Sequence, residues 1–267
     1  MRAVWVAVLA VVLATTASAQ RRGGRFGPRV PDNPPYDGAF QFCRIAFRNA
    51  SNGDGAGWYV DYPRADENLT FRLSELTSIT VSDNGPHSYN HAVMNLTDVM
   101  TLSRCPFTML TEPGGAYFDD DEAKALREYL QRGGFLWADD FWGEYAWEHW
   151  VGELRKALPS GQFTISDVPI EHPIFHMLYD VREFPQIPSI GFWAGTGGAT
   201  SERGRDSAVP HARAAYDANG HMLVFMSHNT DFGDAFEREG DMREYFEHFA
   251  GKGYAVGVNV ILYAMTH

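Results

Sequence analysis

Two apolar runs in this chain end in residues that can do chemistry. Phe135-Leu136-Trp137-Ala138 leads into Asp139-Asp140, and Met222-Leu223-Val224-Phe225-Met226 leads into Ser227-His228-Asn229-Thr230-Asp231. Such runs without a polar residue are expected of strands covered on both faces in a parallel sheet. Ligands of open α/β sheets bind outside the carboxyl ends of the strands. If the two runs are neighbours, Asp139, Asp140, His228, Asn229 and Asp231 share one polar crevice. Carboxylates, an amide and an imidazole suit a divalent metal, whose bound water becomes a nucleophile. Without a metal, one carboxylate can act as a general base, and two acids side by side push one pKa upward. The competing structural reading is that an aspartate at a strand end caps the next helix or ties a loop through backbone N–H groups. Capping uses one aspartate of the Asp139-Asp140 pair and leaves the other to be explained.

Aromatic residues crowd the same edge: Trp137, Phe141, Trp142, Tyr145, Trp147 and, farther along, Trp193. Carboxylates beside exposed indoles hold sugars, the rings meeting C–H faces and the acids meeting hydroxyls. Trp137, Trp147 and Trp150 suit the core, so Trp142 and Trp193 are the candidates for exposure. Arg44 stands inside an apolar strand, Ala39 to Phe47, where it either reaches a ligand or is satisfied by a carboxylate.

These residues need elements to position them. Asp119 with Glu122 three residues on reads as a capping box. Ala123, Leu126 and Leu130 then mark one face of a helix that Gly133-Gly134 ends. Tyr145 to Leu158 is a second amphipathic helix, and Asp66 caps a third with Leu69, Leu73 and Leu76 on one face. The last helix runs from about Tyr245 to the end. Short strands are expected at Ile79 to Val81, Phe107 to Leu110 and Phe163 to Ile165. Proline makes His172 extended. Ser82 to His91 reads as a polar loop with two histidines, Trp58 to Pro63 as an aromatic turn with one carboxylate, and Ser189 to Ser207 as a Gly/Ser/Thr-rich excursion. Strands alternating with helices argue a doubly wound, mostly parallel α/β sheet with helices on both faces.

The first nineteen of the 267 residues read as a removable signal peptide: Arg2, an apolar run Ala3 to Ala14, and an Ala17-Ser18-Ala19 cleavage site. The apolar run is short for a membrane span, so no span is expected after cleavage, and the mature protein is expected in the periplasm or secreted. Residues 20–35 form a basic Gly/Pro tail, and residues 36–267 suit one α/β domain. Beyond residue 30, 17 Lys and Arg stand against 34 Asp and Glu. A body this acidic repels phosphate backbones, which disfavours nucleic acid as a partner. Export permits a disulfide between Cys43 and Cys105, but their positions in and before separate strands favour two unpaired thiols.

Several motifs carry a family resemblance: Tyr36-Asp37-Gly38-Ala39-Phe40, Asp61-Tyr62-Pro63, Asn68-Leu69, Gly133-Gly134-Phe135-Leu136, Asp139-Asp140-Phe141-Trp142-Gly143, His172-Pro173-Ile174-Phe175 and His228-Asn229-Thr230-Asp231. Over Tyr36 to His267 the chain resembles the exported bacterial proteins grouped as domain of unknown function 4159, a resemblance that brings no activity with it. More remotely, the layout resembles the class I glutamine amidotransferase-like fold, itself flavodoxin-like, and its trehalose-utilisation relatives. There a helix-then-strand unit ends in a sharp turn bearing the nucleophilic cysteine. The matching turn here reads Ala138-Asp139-Asp140, and a carboxylate cannot form the usual acyl-enzyme. G-x-S-x-G, P-loop and dinucleotide fingerprints are also missing. The expectation is non-covalent binding of a small polar ligand, such as a sugar or cell-envelope metabolite, by Asp139, Asp140, Trp142, His228, Asn229, Asp231 and Arg44. The alternatives are a metal-dependent hydrolase using Asp139, Asp140, His228 and Asp231, and an accessory module docking an envelope protein partner through its aromatic surface.

Overall fold

The computed structural model describes residues 28–267, so the signal segment and residues 20–27 of the basic tail lie outside the described residues. In chain order the elements are β1 (Phe42–Ile45), β2 (Arg48–Asn49), α1 (Arg64–Leu76), β3 (His91–Met94), α2 (Val99–Leu102), β4 (Phe107–Thr111), β5 (Ala116–Tyr117), α3 (Asp120–Gln131), β6 (Phe135–Phe141), α4 (Gly143–Ala157), β7 (Thr164–Asp167), α5 (Ile190–Thr196), β8 (His211–Tyr216), β9 (Met222–His228), α6 (Phe232–Glu237), α7 (Arg243–Tyr245) and α8 (Gly251–Thr266). Seven strands form a mixed, mostly parallel sheet in the order β3-β1-β4-β6-β9-β8-β7, and β2 pairs with β5 apart from it. The first five strands run parallel, while β7 and β8 close one side antiparallel. Among the described residues no helix is long and apolar enough to cross a membrane.

The two apolar runs are indeed adjacent: Trp137 of β6 aligns with Phe225 of β9. Alternation along β6 divides the core. Leu136 and Ala138 join Leu126, Leu130, Trp150 and Leu154 from α3 and α4, whereas Phe135 and Trp137 join Leu69, Leu73, Val258 and Ile261 from α1 and α8. Both sets are almost wholly withdrawn from water, which is the main stabilisation of the sheet sandwich. The capping box forms at α3, where Asp119 accepts from the Glu122 amide and the Glu122 side chain accepts from the Asp119 amide. Gly133 follows that helix at φ +94, a conformation that costs glycine nothing.

Several expectations need correction. Cys43 and Cys105 form a disulfide, with Cα atoms 6.1 Å apart. The reason is topological: β1 lies beside β4, so the turn entering β4 carries Cys105 up against β1. Asp66 does not cap α1, which begins at Arg64. Its carboxylate turns inward to the buried guanidinium of Arg44, which needs a counter-charge more than the helix needs a cap. The β6 strand does not stop at Ala138. It continues through Asp139 and Asp140 to Phe141 with a register shift between Ala138 and Phe141, a bulge in the strand. Of the strand expected at Ile79 to Val81, only a bridge between Val81 and Phe40 forms. The second histidine of the Ser82 to His91 stretch opens β3, and its Nε2 meets the Tyr62 hydroxyl at 2.9 Å. The β8 strand, His-Ala-Arg-Ala-Ala-Tyr, was not anticipated because alanine carries little strand signal. The Ser189 to Ser207 excursion contains α5 and crosses the sheet's carboxyl edge.

Candidate functional site

At that edge lies an open cleft of about 760 Å³. Eight acidic side chains line it against two arginines, Arg203 and Arg238, and both arginines are already paired, with Asp54 and Glu237 respectively. The backbone around it is unusual. Among the described residues five non-glycine residues adopt the left-handed conformation, and four belong to this edge: Asp61 (φ +62), Glu112 (φ +57), Asp140 (φ +60) and Asn229 (φ +63). Each such residue costs on the order of 1–3 kcal/mol unless its surroundings impose it. Glu112 and Asn229 directly follow β4 and β9, and Asp140 stands in the β6 bulge, so three neighbouring strands make the same sharp turn as they leave the sheet.

The surroundings that impose these turns can be named. The Glu112 amide donates to the Asp139 carbonyl, and its carboxylate accepts from the Ala56 amide at 2.7 Å. The loop carrying Ala56 sits so close that a Cβ on Gly114 would fall 2.5 Å from the Asp54 carbonyl. Asn229 braces its own turn three ways: its amide donates to the Phe141 carbonyl, its Oδ1 accepts from Gly143, and its Nδ2 donates to Val209. Arg44 is wholly buried. It grips Asp66 through Nε and Nη2, and its Nη1 donates to the Thr111 hydroxyl and to the Trp58 and Val60 carbonyls. Those last two bonds hold the segment that delivers Asp61.

The seven residues singled out from the sequence therefore divide. Asp140, Trp142 and Asp231 line the cleft. Arg44, Asp139, His228 and Asn229 do not, so the four-residue metal set of Asp139, Asp140, His228 and Asp231 is not assembled. Asp139 is fully buried and occupied. It accepts from the Ser227 hydroxyl and from the Phe232 and Gly233 amides, capping α6. Burial pushes its pKa up to about 7 against the lowering by those donors. Its neighbour Asp140 points into the cleft, accepting only from the Trp142 indole N–H at 2.9 Å. The bulge, with Asp140 left-handed, turns this side chain away from that of Asp139, which is why two adjacent aspartates have two roles.

His228 has both ring nitrogens engaged. Nε2 donates to the Gly143 carbonyl at 3.0 Å, and Nδ1 accepts from Arg213 at 3.1 Å. The ring is sandwiched by Phe141, Trp147 and His211, and burial lowers its pKa to about 4, so it stays neutral and structural. Trp142 is only 6% exposed and meets the cleft by its edge rather than as an open platform. Trp193 packs on Tyr245 and Phe249 and does not line the cleft.

The residues that sequence reasoning missed are Asp61, Glu112, Asp234 and Glu237. One oxygen from each of Asp61, Asp140 and Asp231 lies within 4.8 Å of the others, as do oxygens of Asp61, Asp234 and Glu237. Like charges at that separation repel by about 3–4 kcal/mol per pair at an effective dielectric of ~20. Burial first, and then repulsion by Glu112 and Asp61, raises Asp140 well above the usual carboxylate range, and burial followed by repulsion from Asp140 and Asp61 does the same to Asp231. Burial and then the charge of Asp234 raise Asp61, with Arg44 opposing, and burial takes Glu112 up to about 7. A signal for Glu112 existed: it follows the buried strand β4, much as Asp139 follows the apolar run that ends at Ala138. Asp61 had its place in the aromatic turn and in the Asp61-Tyr62-Pro63 motif, neither of which assigns it a role.

The model of the family described as Domain of unknown function (DUF4159) matches residues 44–265. No curated protein matches the chain.

Proposed function

The chain belongs to the DUF4159 family, whose description names no activity, and from the acidic cleft at its strand ends we propose that it binds a small polar ligand without covalent chemistry. The observation that carries this is the convergence of the β4, β6 and β9 exits on one open cleft where carboxylates outnumber cations eight to two. Such a lining accepts hydrogen bonds from hydroxyl and ammonium groups and repels free anions, which favours a sugar or related polyhydroxyl metabolite. The rings of Tyr59 and Tyr62 in the wall supply surface for C–H faces. At the β6–α4 turn, Asp139-Asp140-Phe141-Trp142-Gly143 contains neither hydroxyl nor thiol to serve as a nucleophile.

The same reading places the protein outside the cytoplasm. The signal-like first nineteen residues support it, and so does the Cys43–Cys105 bond, which persists in oxidising compartments. Thermal-shift and calorimetric screening against neutral sugars, amino sugars and sugar acids tests the function. At least one neutral or amino sugar should bind to the parent chain and lose affinity in Asp140→Asn. A panel without a response, or a response indifferent to Asp140→Asn, would refute it.

A further inference from the structure

We propose that Asp61, Asp140 and Asp231 hold a hard divalent cation at the floor of the cleft, and that the polar ligand binds through it. The inference rests on the cleft being a binding site and adds what makes it bind. The three carboxylates offer oxygens within 4.8 Å of one another. Proximity alone would be weak ground, because acidic residues often cluster for other reasons. The separate observation is Asp61 itself. It is 8% exposed, and its Oδ2 is fully buried with no hydrogen-bond partner among the described residues. A buried carboxylate oxygen without a donor is strongly unfavourable and calls for a missing partner. Its neighbours are provided for: Asp139 has Ser227 and two amides, Asp231 has the Asp234 amide, Glu112 has the Ala56 amide and Asp140 has the Trp142 indole.

The second acidic trio, Asp61 with Asp234 and Glu237, is the weaker candidate. Arg238 stands against it, with Nε 2.9 Å from Glu237 and 3.5 Å from Asp234, and so neutralises it in part. Asp234 is also spent on the Ile190 amide and the Tyr245 hydroxyl. Among the described residues no arginine or lysine pairs with Asp140 or Asp231. The backbone presents the first trio rigidly: Asp61 and Asp140 are held left-handed, and Arg44 clamps the carbonyls of Trp58 and Val60 ahead of Asp61. Gly233 packs against the Asp61 carboxylate where any Cβ would collide with it, so the side chain has little room to move away.

The donor set decides the class of ion. Three carboxylates and no imidazole or thiolate suit Ca²⁺, Mg²⁺ or Mn²⁺ rather than Zn²⁺. His228 cannot join, since both its nitrogens are engaged elsewhere. Three carboxylates leave part of a six- to eight-oxygen shell open toward the cleft, where water or two vicinal hydroxyls of a sugar complete it. Carboxylates must shed protons to ligate, so binding should release protons and weaken as pH falls.

The test uses the mature chain, purified without a polyhistidine tag and stripped with a chelator, and titrates Ca²⁺, Mg²⁺, Mn²⁺ and Zn²⁺ singly by calorimetry. One hard ion per chain should bind, with Zn²⁺ not preferred. Asp61→Asn should weaken it about 10–100-fold or more. Asparagine tolerates the left-handed conformation, matches aspartate in size and takes one acid out of a crowded acidic site, so this variant should fold and melt no lower than the ion-free parent. Asp139→Asn, one residue from a ligand but outside the cleft, should leave ion affinity nearly unchanged. No stoichiometric binding up to about 5 mM, or equal affinity in Asp61→Asn, would overturn the inference. Repeating the sugar screen with and without the ion separates it from the parent reading. Sugars that bind equally well in chelator remove the cation while keeping the cleft. An ion that binds while every sugar fails keeps the cation and removes the sugar.

Discussion

Breaking the Cys43–Cys105 bond should be the most informative perturbation of the fold. The bridge closes a 62-residue stretch of chain that contains β2, α1, β3 and α2. In the chain-entropy account, freeing a loop of that length in the unfolded state lowers stability by about 4 kcal/mol at 25 °C. For a domain of this size that corresponds to a melting temperature lower by roughly 8–16 °C. Both sulfurs are buried, so the reduced thiols stay packed where they are and add little further loss. Guanidinium unfolding of the oxidised chain, the chain reduced by a phosphine, and Cys43→Ala/Cys105→Ala measures the difference. The reduced form should also show a larger dependence on denaturant, because its unfolded state exposes more surface. Two free thiols in the purified native chain would refute the reasoning. So would oxidised and reduced forms within about 1 kcal/mol of each other, since the loop would then contribute nothing.

Removing the guanidinium with Arg44→Met leaves Asp66 buried and unpaired and should cost about 3–5 kcal/mol, whereas Arg44→Met/Asp66→Leu should recover part of that loss; chemical denaturation of both variants decides it. Asp139→Ala strips an acceptor from two amides at the start of α6 and should cost about 2–4 kcal/mol, readable as a lower melting temperature. His228 titrates near 4 in the folded chain, below its ordinary 6.5. The folded state therefore resists a proton that the unfolded state accepts. This contribution to stability is whole above pH 6.5 and falls away as pH drops toward 4, by about 3 kcal/mol in total. The stability difference between the parent and His228→Gln, measured from pH 7.5 to 4, isolates this from the opposite effect of the raised carboxylates; it should change by that amount, and parallel curves would count against it.

The grammar of apolar run followed by polar residues was enough to find β6 and β9, because a strand buried on both faces leaves a local trace, but their adjacency was a condition that only the sheet order supplies. It was also enough to find the capping box at Asp119 and Glu122, a bond pattern that spans three residues. It could not place Cys105 beside Cys43, since their contact depends on β1 lying next to β4 rather than next to β2. Nor could it find Asp61, which arrives on a loop with no periodic signal and is delivered by the bonds of Arg44 to the carbonyls of Trp58 and Val60.

The harder question was which acids are free, and it is answered only by following the donors. The first amides of α6 need acceptors. Asp139 takes those of Phe232 and Gly233, and Asp231 takes that of Asp234 with one of its oxygens. Those bonds remove Asp139 from chemistry and half-commit Asp231. Asp140, turned the other way by the bulge, keeps only an indole N–H, and the buried Oδ2 of Asp61 keeps nothing. From the chain alone, Asp139 and Asp140 are interchangeable letters. In the fold, one holds a helix in place, and the other faces the cleft beside the carboxylates of Asp61 and Asp231.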